Sequence, residues 1–196
     1  MNIQWNVESI VLIGSTLLGA AGSLWIMKNN WKAYGFLFVI SAFVGQLICY
    51  LFVALGYYSF PYTILPQISA MPFTAILTIF PFYVLLGVRY SPRPWGWKIP
   101  YYWVFVHLGM LGEVWAEEKT NLIRYKLDWN NWDSYTWWWI YLLLFEWVGG
   151  LLVPDEDRKP LDPGTLRFGR IGWFILHFVL IGSIYLAGVF TGYKLF

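Results

Sequence analysis

Six apolar segments, each about as long as a membrane-spanning helix, set the first limit on how this chain can fold. A helix needs about 20 predominantly apolar residues to cross the hydrocarbon core of a bilayer. The six segments cover residues 9–27, 33–56, 64–88, 100–116, 135–153 and 171–193. Because 59% of the residues are hydrophobic and only 12% are charged, the composition excludes an ordinary water-soluble domain. The sequence predicts an all-α, polytopic membrane bundle of about six transmembrane helices.

The third segment differs from the others in its prolines, Pro66, Pro72 and Pro81. Each proline lacks a backbone N–H donor, so we expect this third helix to be kinked or broken. With 196 residues the chain has room for one compact unit. We therefore predict a single transmembrane domain over residues 1–196.

The distribution of lysine and arginine predicts the orientation in the membrane. Short cytoplasmic loops retain these residues during insertion. Loops one, three and five, the last of which covers residues 154–170, carry Lys28, Lys32, Arg89, Arg93, Lys98, Arg158, Lys159, Arg167 and Arg170. Loop two (residues 57–63) has no lysine or arginine, and loop four (residues 117–133) mixes both signs of charge. The pattern predicts a multi-pass protein of the cell membrane with loops one, three and five in the cytoplasm and both termini outside.

Three titratable residues are predicted to share one layer of the bundle. With a rise of about 1.5 Å per residue, His107, Glu146 and His177 each lie about 10 Å from the cytoplasmic ends of their helices. No lysine or arginine is expected at that depth, so Glu146 should be protonated or share a proton with a histidine. All three are candidate catalytic residues. The alternative is that they satisfy hydrogen bonds between helices.

A second polar level is predicted nearer loop four. Glu113 lies about 20 Å from the cytoplasmic end of the fourth helix, and Gln46 on the second helix reaches a similar level. Glu117 follows one turn later, where a solvated helix end is the simpler interpretation. We take Glu113 as a candidate catalytic residue and Gln46 as a candidate substrate-binding residue, in a pocket that opens toward loop four.

Loop four and the helix after it are rich in aromatic residues, among them Tyr125, Trp129, Trp132, Trp137 and Trp138. Such a segment can lie in the interface as a lid whose rings bind an apolar or isoprenoid chain or stabilise a cation. An aromatic belt that anchors a re-entrant loop is an equally good interpretation. Tyr125, Trp129 and Trp132 are candidate substrate-binding residues.

The segment from Pro66 to Ser134 resembles an uncharacterised family of small multi-spanning proteins from spore-forming bacteria. The residues that carry the resemblance are a proline-rich third span that ends in Tyr90, Ser91 and Pro92, a glutamate on the next helix, and then Ile123, Tyr125, Trp129 and Ser134. The resemblance covers about a third of the chain and implies no activity.

A fainter resemblance is to small integral-membrane isoprenoid cyclases of the lycopene and meroterpenoid types. Glu113 with Trp115 and Glu146 with Trp147, separated by an aromatic loop, carry it. It implies an intramembrane enzyme that cyclises or isomerises an isoprenoid-like lipid after protonation by a buried carboxyl group, with Trp115 among the substrate-binding residues. It implies no cofactor.

Two other functions stay open. His107 and His177 at matched depth would suit axial ligation of one haem b in a redox carrier. A non-enzymatic protein that binds a lipid or a partner would also place polar residues in the bundle. A zinc site is not expected, because one cysteine and two histidines would have to recruit carboxylates. A net charge of +2 without a basic cluster argues against nucleic acid as a partner.

Overall fold

A computed structural model describes residues 5–162 and the isolated positions 178, 182, 183, 185, 189 and 193. Its regular elements are five α-helices, one 3-10 turn and two strands of two residues each, joined by turns and loops. The elements are α1 (Val7–Met27), α2 (Trp31–Ala54), β1 (Tyr58–Ser59), α3 (Phe73–Tyr90), α4 (Trp95–Lys119), β2 (Arg124–Tyr125), α5 (Asn131–Leu152) and the 3-10 turn Asp155–Asp157. The predicted all-α class is confirmed for these residues. The predicted sixth helix, 171–193, lies almost wholly outside them.

Asparagine side chains fix the starts of three helices. Asn6, Asn30 and Asn130 each accept a hydrogen bond from a backbone N–H in the first turn of α1, α2 and α5, respectively. At Asn130 the bond is reciprocal, because the Asp133 carboxylate accepts from the backbone N–H of Asn130. These caps satisfy donors that a helix start otherwise leaves unpaired.

The third apolar segment is not one long helix. Residues 64–72 form turns, and α3 begins at Phe73, directly after Pro72. Pro66 and Pro72 therefore precede the helix, which leaves Pro81 as its one internal proline. The prediction of a helix from residue 64 was wrong because proline lacks the N–H donor of a helix interior and is tolerated at a helix start.

Helix α3 lies in the middle of the described bundle, in contact with α1, α2 and α5. Its approach to α1 is close enough that a Cβ atom at Gly19 would lie 2.7 Å from the backbone of Thr78. A second buried contact surface joins α4 to α5. The largest buried cluster includes Leu37 on α2, Leu85 on α3, Val106 on α4 and Leu142 on α5. With Ile26 and Met27 of α1 in the same cluster, all five described α-helices with defined bounds contribute to one apolar core.

Among the described residues, three helices are long and apolar enough to cross a membrane, α1, α2 and α3. Helices α4 and α5 have 25 and 22 residues, which corresponds to about 37 Å and 33 Å. They are long enough to span a bilayer, but they contain charged residues and many tryptophans and tyrosines, whose polar groups lower their hydropathy.

Helices α4 and α5 each expose one apolar stripe. The stripes consist of Val104, Leu108, Leu111 and Trp115 on α4, and of Trp137, Ile140, Leu144, Trp147 and Leu151 on α5. A spacing of three or four residues places each set on one helix face. Continuous exposed apolar surfaces of this kind mark contact with a membrane or with another protein.

The bundle has two ends that differ in chemistry. At the loop-four end, β1 pairs antiparallel with β2, so that Tyr58 lies opposite Tyr125 and loop two is joined to loop four. At the loop-five end, the segment after α5 runs along the end of α3, where the Lys159 N–H donates to the Arg89 carbonyl at 2.8 Å. The candidate sites lie at these two ends.

Candidate functional sites at the two ends of the bundle

The Glu113 carboxylate on α4 is held by two neutral donors near the loop-four end. The Tyr125 hydroxyl donates to Oε1 at 3.0 Å, and the Trp138 indole Nε1 donates to Oε2 at 2.8 Å. Glu113 is half-buried, and within the described residues it takes part in no salt bridge. We call Glu113, Tyr125, Trp129, Ser134 and Trp138 the Glu113 site.

The fold positions both donors. The pairing of β1 with β2 fixes the backbone of Tyr125. The Trp138 ring on α5 stacks on Phe80, with 5.1 Å between ring centroids, and lies so close to α4 that a Cβ at Gly109 would be 2.9 Å from it. Glycine at position 109 therefore lets the indole reach the carboxylate.

Burial raises the pKa of the Tyr125 phenol, and the nearby Glu113 carboxylate raises this pKa further. The pKa of the Tyr58 phenol, opposite it in the strand pair, is also raised, mainly by burial. Both phenols are therefore neutral at physiological pH. Tyr125 consequently serves Glu113 as a hydroxyl that both donates and accepts hydrogen bonds.

Aromatic rings cover the approach to this site from loop four. The Trp129 indole donates to the Ser134 hydroxyl at 2.9 Å. Its ring contacts Phe52, Tyr57 and Tyr58, at centroid distances of 4.7, 5.2 and 5.7 Å. Loop four is thereby packed on the end of α2. Contacts from Trp129 to Ser134, from Ser134 to Tyr125 and from Tyr125 to Glu113 link these residues.

The other three predicted substrate-binding residues, Gln46, Trp115 and Trp132, lie on α2, α4 and α5. The Gln46 side chain donates to the Phe73 carbonyl at 2.6 Å and so joins α2 to the start of α3. Trp115 belongs to the exposed stripe of α4. Trp132 is half-buried, and its ring lies edge-on to Tyr135, with 5.9 Å between centroids. Their assignment as binding residues stays a prediction.

Glu146 is paired with cations, contrary to the sequence-based expectation. Its carboxylate is 1% exposed and accepts hydrogen bonds from Lys98 and, at 3.3 Å, from Arg158. The Tyr102 hydroxyl donates to Oε2 at 2.6 Å. The expectation was wrong because α4 begins at Trp95 and not near Pro100, which places Lys98 inside the helix, one turn before Tyr102.

His107 does not share a layer with Glu146. The partners of Glu146 on α4 are Lys98 and Tyr102, and His107 lies about 7.5 Å beyond Tyr102 along the helix. The His107 Nδ1 instead donates to the Trp103 carbonyl at 2.8 Å, and its ring lies edge-on to Tyr135. The predicted common layer is therefore wrong for this pair. His177 lies outside the described residues, so the haem hypothesis stays a prediction.

Sequence reasoning missed the main partners in both sites. Lys98 and Arg158 were counted as loop charges that report orientation, and Tyr102 and Trp138 were taken as two of many aromatic residues. One signal was present for Lys98. It lies four residues before Tyr102, so both side chains occupy one face if the helix begins before Pro100.

Within the described residues, no three histidine, cysteine, aspartate or glutamate side chains are grouped closely enough to hold a metal ion. Comparisons of the chain with protein-family models, with curated proteins and with solved structures give no match.

Proposed function

We propose that this protein is a multi-pass membrane enzyme that cyclises or isomerises an isoprenoid-like lipid after protonation by Glu113. The proposal includes six spans, the sixth over residues 171–193, a kink of α3 at Pro81, and loops one, three and five in the cytoplasm. The exposed apolar stripes of α4 and α5 support membrane contact for these two helices as well as for α1, α2 and α3.

The observation that carries the catalytic assignment is the contrast between half-buried Glu113 and buried Glu146. Glu146 is bound to Lys98 and Arg158, so adding a proton to it would leave two buried cations without their carboxylate. Glu113 is held by neutral donors, and adding a proton to it breaks no ion pair among the described residues. Glu113 is therefore the better candidate for the proton donor, and Glu146 serves to hold α4 and α5 together.

The surroundings of Glu113 accommodate a proton on Oε1. A protonated Oε1 donates to the Tyr125 hydroxyl, which then acts as acceptor, while the Trp138 N–H continues to donate to Oε2. In the reaction, this proton adds to one carbon of an alkene, or to an epoxide oxygen, and leaves a carbocation. The π-electrons of a second alkene attack the cation, and transfer of a neighbouring C–H proton to the Glu113 carboxylate forms the final double bond, gives an isomer of the substrate and regenerates the acid.

The aromatic residues of the Glu113 site fit such a cation. The faces of tryptophan and tyrosine attract positive charge through the ring quadrupole, and Trp is the strongest of the three aromatic residues. Trp138 contacts the acid directly, and Trp129 lies in the loop that covers it. The resemblance to the isoprenoid cyclases points to the same chemistry.

The test is turnover in D2O with purified protein in lipid vesicles. The probes are a linear polyene, a prenylated quinol and an epoxidised prenyl chain, followed by chromatography and mass spectrometry. We expect a product with the connectivity of an isomer of one probe. A product formed from an alkene should carry one carbon-bound deuterium from the acid, whereas the hydroxyl deuterium of a product formed from the epoxide exchanges on work-up in H2O. Glu113→Gln should lower its rate by about 10²- to 10⁴-fold, the usual contribution of general acid catalysis.

Glu117→Gln is the matched control, since Glu117 lies one turn further along α4 and should leave the rate unchanged. Turnover by Glu113→Gln at the wild-type rate would overturn the assignment of the acid. Absence of turnover with all three probe classes, from protein that is folded, would overturn the enzymatic proposal and favour the non-enzymatic lipid-binding alternative.

A further inference from the structure

Three cationic side chains are buried at the loop-five end. Arg89 and Lys98 are 4% and 7% exposed, and the side chain of Arg158 is 12% exposed. Lys98 and Arg158 share the Glu146 carboxylate. Arg89 contacts no carboxylate among the described residues, and its Nη1 donates to the Asp157 carbonyl at 3.2 Å. The Asp157 carboxylate accepts from the Asn30 amide. Two of the three cations therefore share one carboxylate, and Arg89 is bound to a backbone carbonyl.

Donors without acceptors occur at the same end. The described chain has four buried side-chain polar atoms without a hydrogen-bond partner, and three of them are Arg89 Nε, Ser91 Oγ and Arg158 Nε. The fourth, Ser23 Oγ, lies on α1. Ser91 is 3% exposed. Proteins rarely leave buried donors unpaired, so three at one end indicate an acceptor that binds there.

Backbone hydrogen bonds join the two segments that carry the three donors. The Lys159 N–H donates to the Arg89 carbonyl at 2.8 Å, and the Leu161 N–H donates to the Tyr90 carbonyl at 3.1 Å. The segment that carries Arg158 is thus fixed along the segment that carries Arg89 and Ser91. The guanidinium groups of Arg89 and Arg158 and the hydroxyl of Ser91 are therefore carried by two adjacent, hydrogen-bonded segments.

We propose that the loop-five end binds a phosphate group through Arg89, Ser91 and Arg158. Phosphate offers several acceptor oxygens and negative charge, and the planar guanidinium group matches its geometry better than other cationic side chains do. The surrounding loops add exposed cations at Lys28, Lys32, Arg93 and Lys159, and exposed carboxylates at Asp155, Glu156 and Asp162. The exposed cations attract an anion to the same end. The phosphate belongs to a lipid headgroup or to a free phosphate, which share this chemistry.

The test uses the full chain in two arms. In the first, inorganic phosphate is titrated into protein in detergent, and binding is measured from the rise in Tm. In the second, native mass spectrometry compares the retention of phosphatidic acid with that of phosphatidylcholine. Wild-type protein should bind phosphate or retain phosphatidic acid selectively. Selective lipid retention identifies a headgroup site, and binding of inorganic phosphate without competition by the lipid identifies a site for a free phosphate.

Arg89→Lys keeps the charge but removes Nε, so it should weaken binding of the probe by about 10-fold, the worth of one charge-assisted hydrogen bond. Arg93→Lys, on an exposed residue of the same loop, is the matched control and should bind like wild type. If Arg89→Lys does not fold, Ser91→Ala replaces it with the same expectation.

Equal losses in Arg89→Lys and Arg93→Lys, or no binding of either probe by wild type, would overturn the proposal. The Glu113→Gln variant should bind phosphate normally, so this test is independent of the proposed catalysis.

Discussion

At the scale of single residues, the buried charges of Glu146, Lys98 and Arg158 depend on one another. The attraction within such a group offsets the cost of removing each charge from water, and it does so only while the group is complete. The Tyr102 hydroxyl adds a fourth member, which donates to the second carboxylate oxygen. Changing one member therefore has a larger effect than changing all of the charged ones together.

Glu146→Leu is expected to lower the free energy of unfolding by about 3–5 kcal/mol, because Lys98 and Arg158 lose their shared carboxylate. The triple variant Glu146→Leu with Lys98→Met and Arg158→Met should recover most of this loss. Reversible denaturation in mixed detergent micelles measures both. Glu118→Ala, at an exposed position, is the control and should stay within about 0.5 kcal/mol of wild type. A single variant as stable as wild type would contradict this account.

The contacts of Glu113 and of Glu146 differ in how well they could be predicted from the sequence. The position of Glu113 beside Tyr125 and Trp129 could be anticipated, because a helix end and the loop that follows it are neighbours along the chain. The partners of Glu146 could not, since the bond to Lys98 joins residues 48 positions apart and depends on where α4 begins. The helix start was predicted at Pro100, but α4 begins at Trp95 and continues through Pro100.

At the scale of elements, the contact between α1 and α3 depends on a residue without a side chain. Around Gly19 the two backbones approach so closely that any Cβ atom would have to displace α3. Small residues allow close approach between helices in membranes, where packing contributes much of the association energy. The apolar character of α1 and α3 was evident from the sequence, but the crossing point was not predicted. One signal was present, since Gly19 lies in the series of small residues Ser15, Gly19 and Ser23, spaced by four, and Gly14 does not.

Gly19→Ala should lower the free energy of unfolding by about 1–3 kcal/mol, the usual cost of overpacking a close contact. Gly14→Ala lies on the same helix in open space and should leave stability unchanged or raise it by up to about 1 kcal/mol through helix propensity. Denaturation midpoints of the two variants in the same detergent give the comparison. Equal midpoints would show that α1 and α3 do not pack as described.

At the scale of the whole molecule, the two ends of the bundle differ in their polar groups. Neutral donors and aromatic rings surround the carboxylate near loop four, whereas cations predominate near loop five. The proposed orientation places the cationic end in the cytoplasm, as the retention of lysine and arginine in short cytoplasmic loops predicts. Five of the six apolar segments correspond to described helices, but the predicted starts of α3 and α4 were wrong. The contacts at the two ends of the bundle could not be predicted, because the strand pairing and the ion pairs there join residues that are distant along the chain.

The orientation can be tested by labelling single cysteines in intact cells. Cys49 is buried, and it is the one cysteine in the chain, so Cys49→Ala provides a background without thiols. In that background, Lys126→Cys in loop four should react with a membrane-impermeant maleimide. Lys32→Cys, near the start of α2, should react after the membrane is permeabilised. The reverse pattern would contradict the proposed orientation, and reaction of both in intact cells would contradict a membrane crossing between them.

The pairing of β1 with β2 also has a consequence for the order of events during synthesis. Tyr58 and Tyr125 are partners but lie 67 positions apart in the chain, with α3 and α4 between them. At about 5–20 residues per second, β2 leaves the ribosome about 3–13 s after β1. The loop-four end therefore closes late, after α4 has been made, and during this interval the backbone groups of β1 lack their native partner.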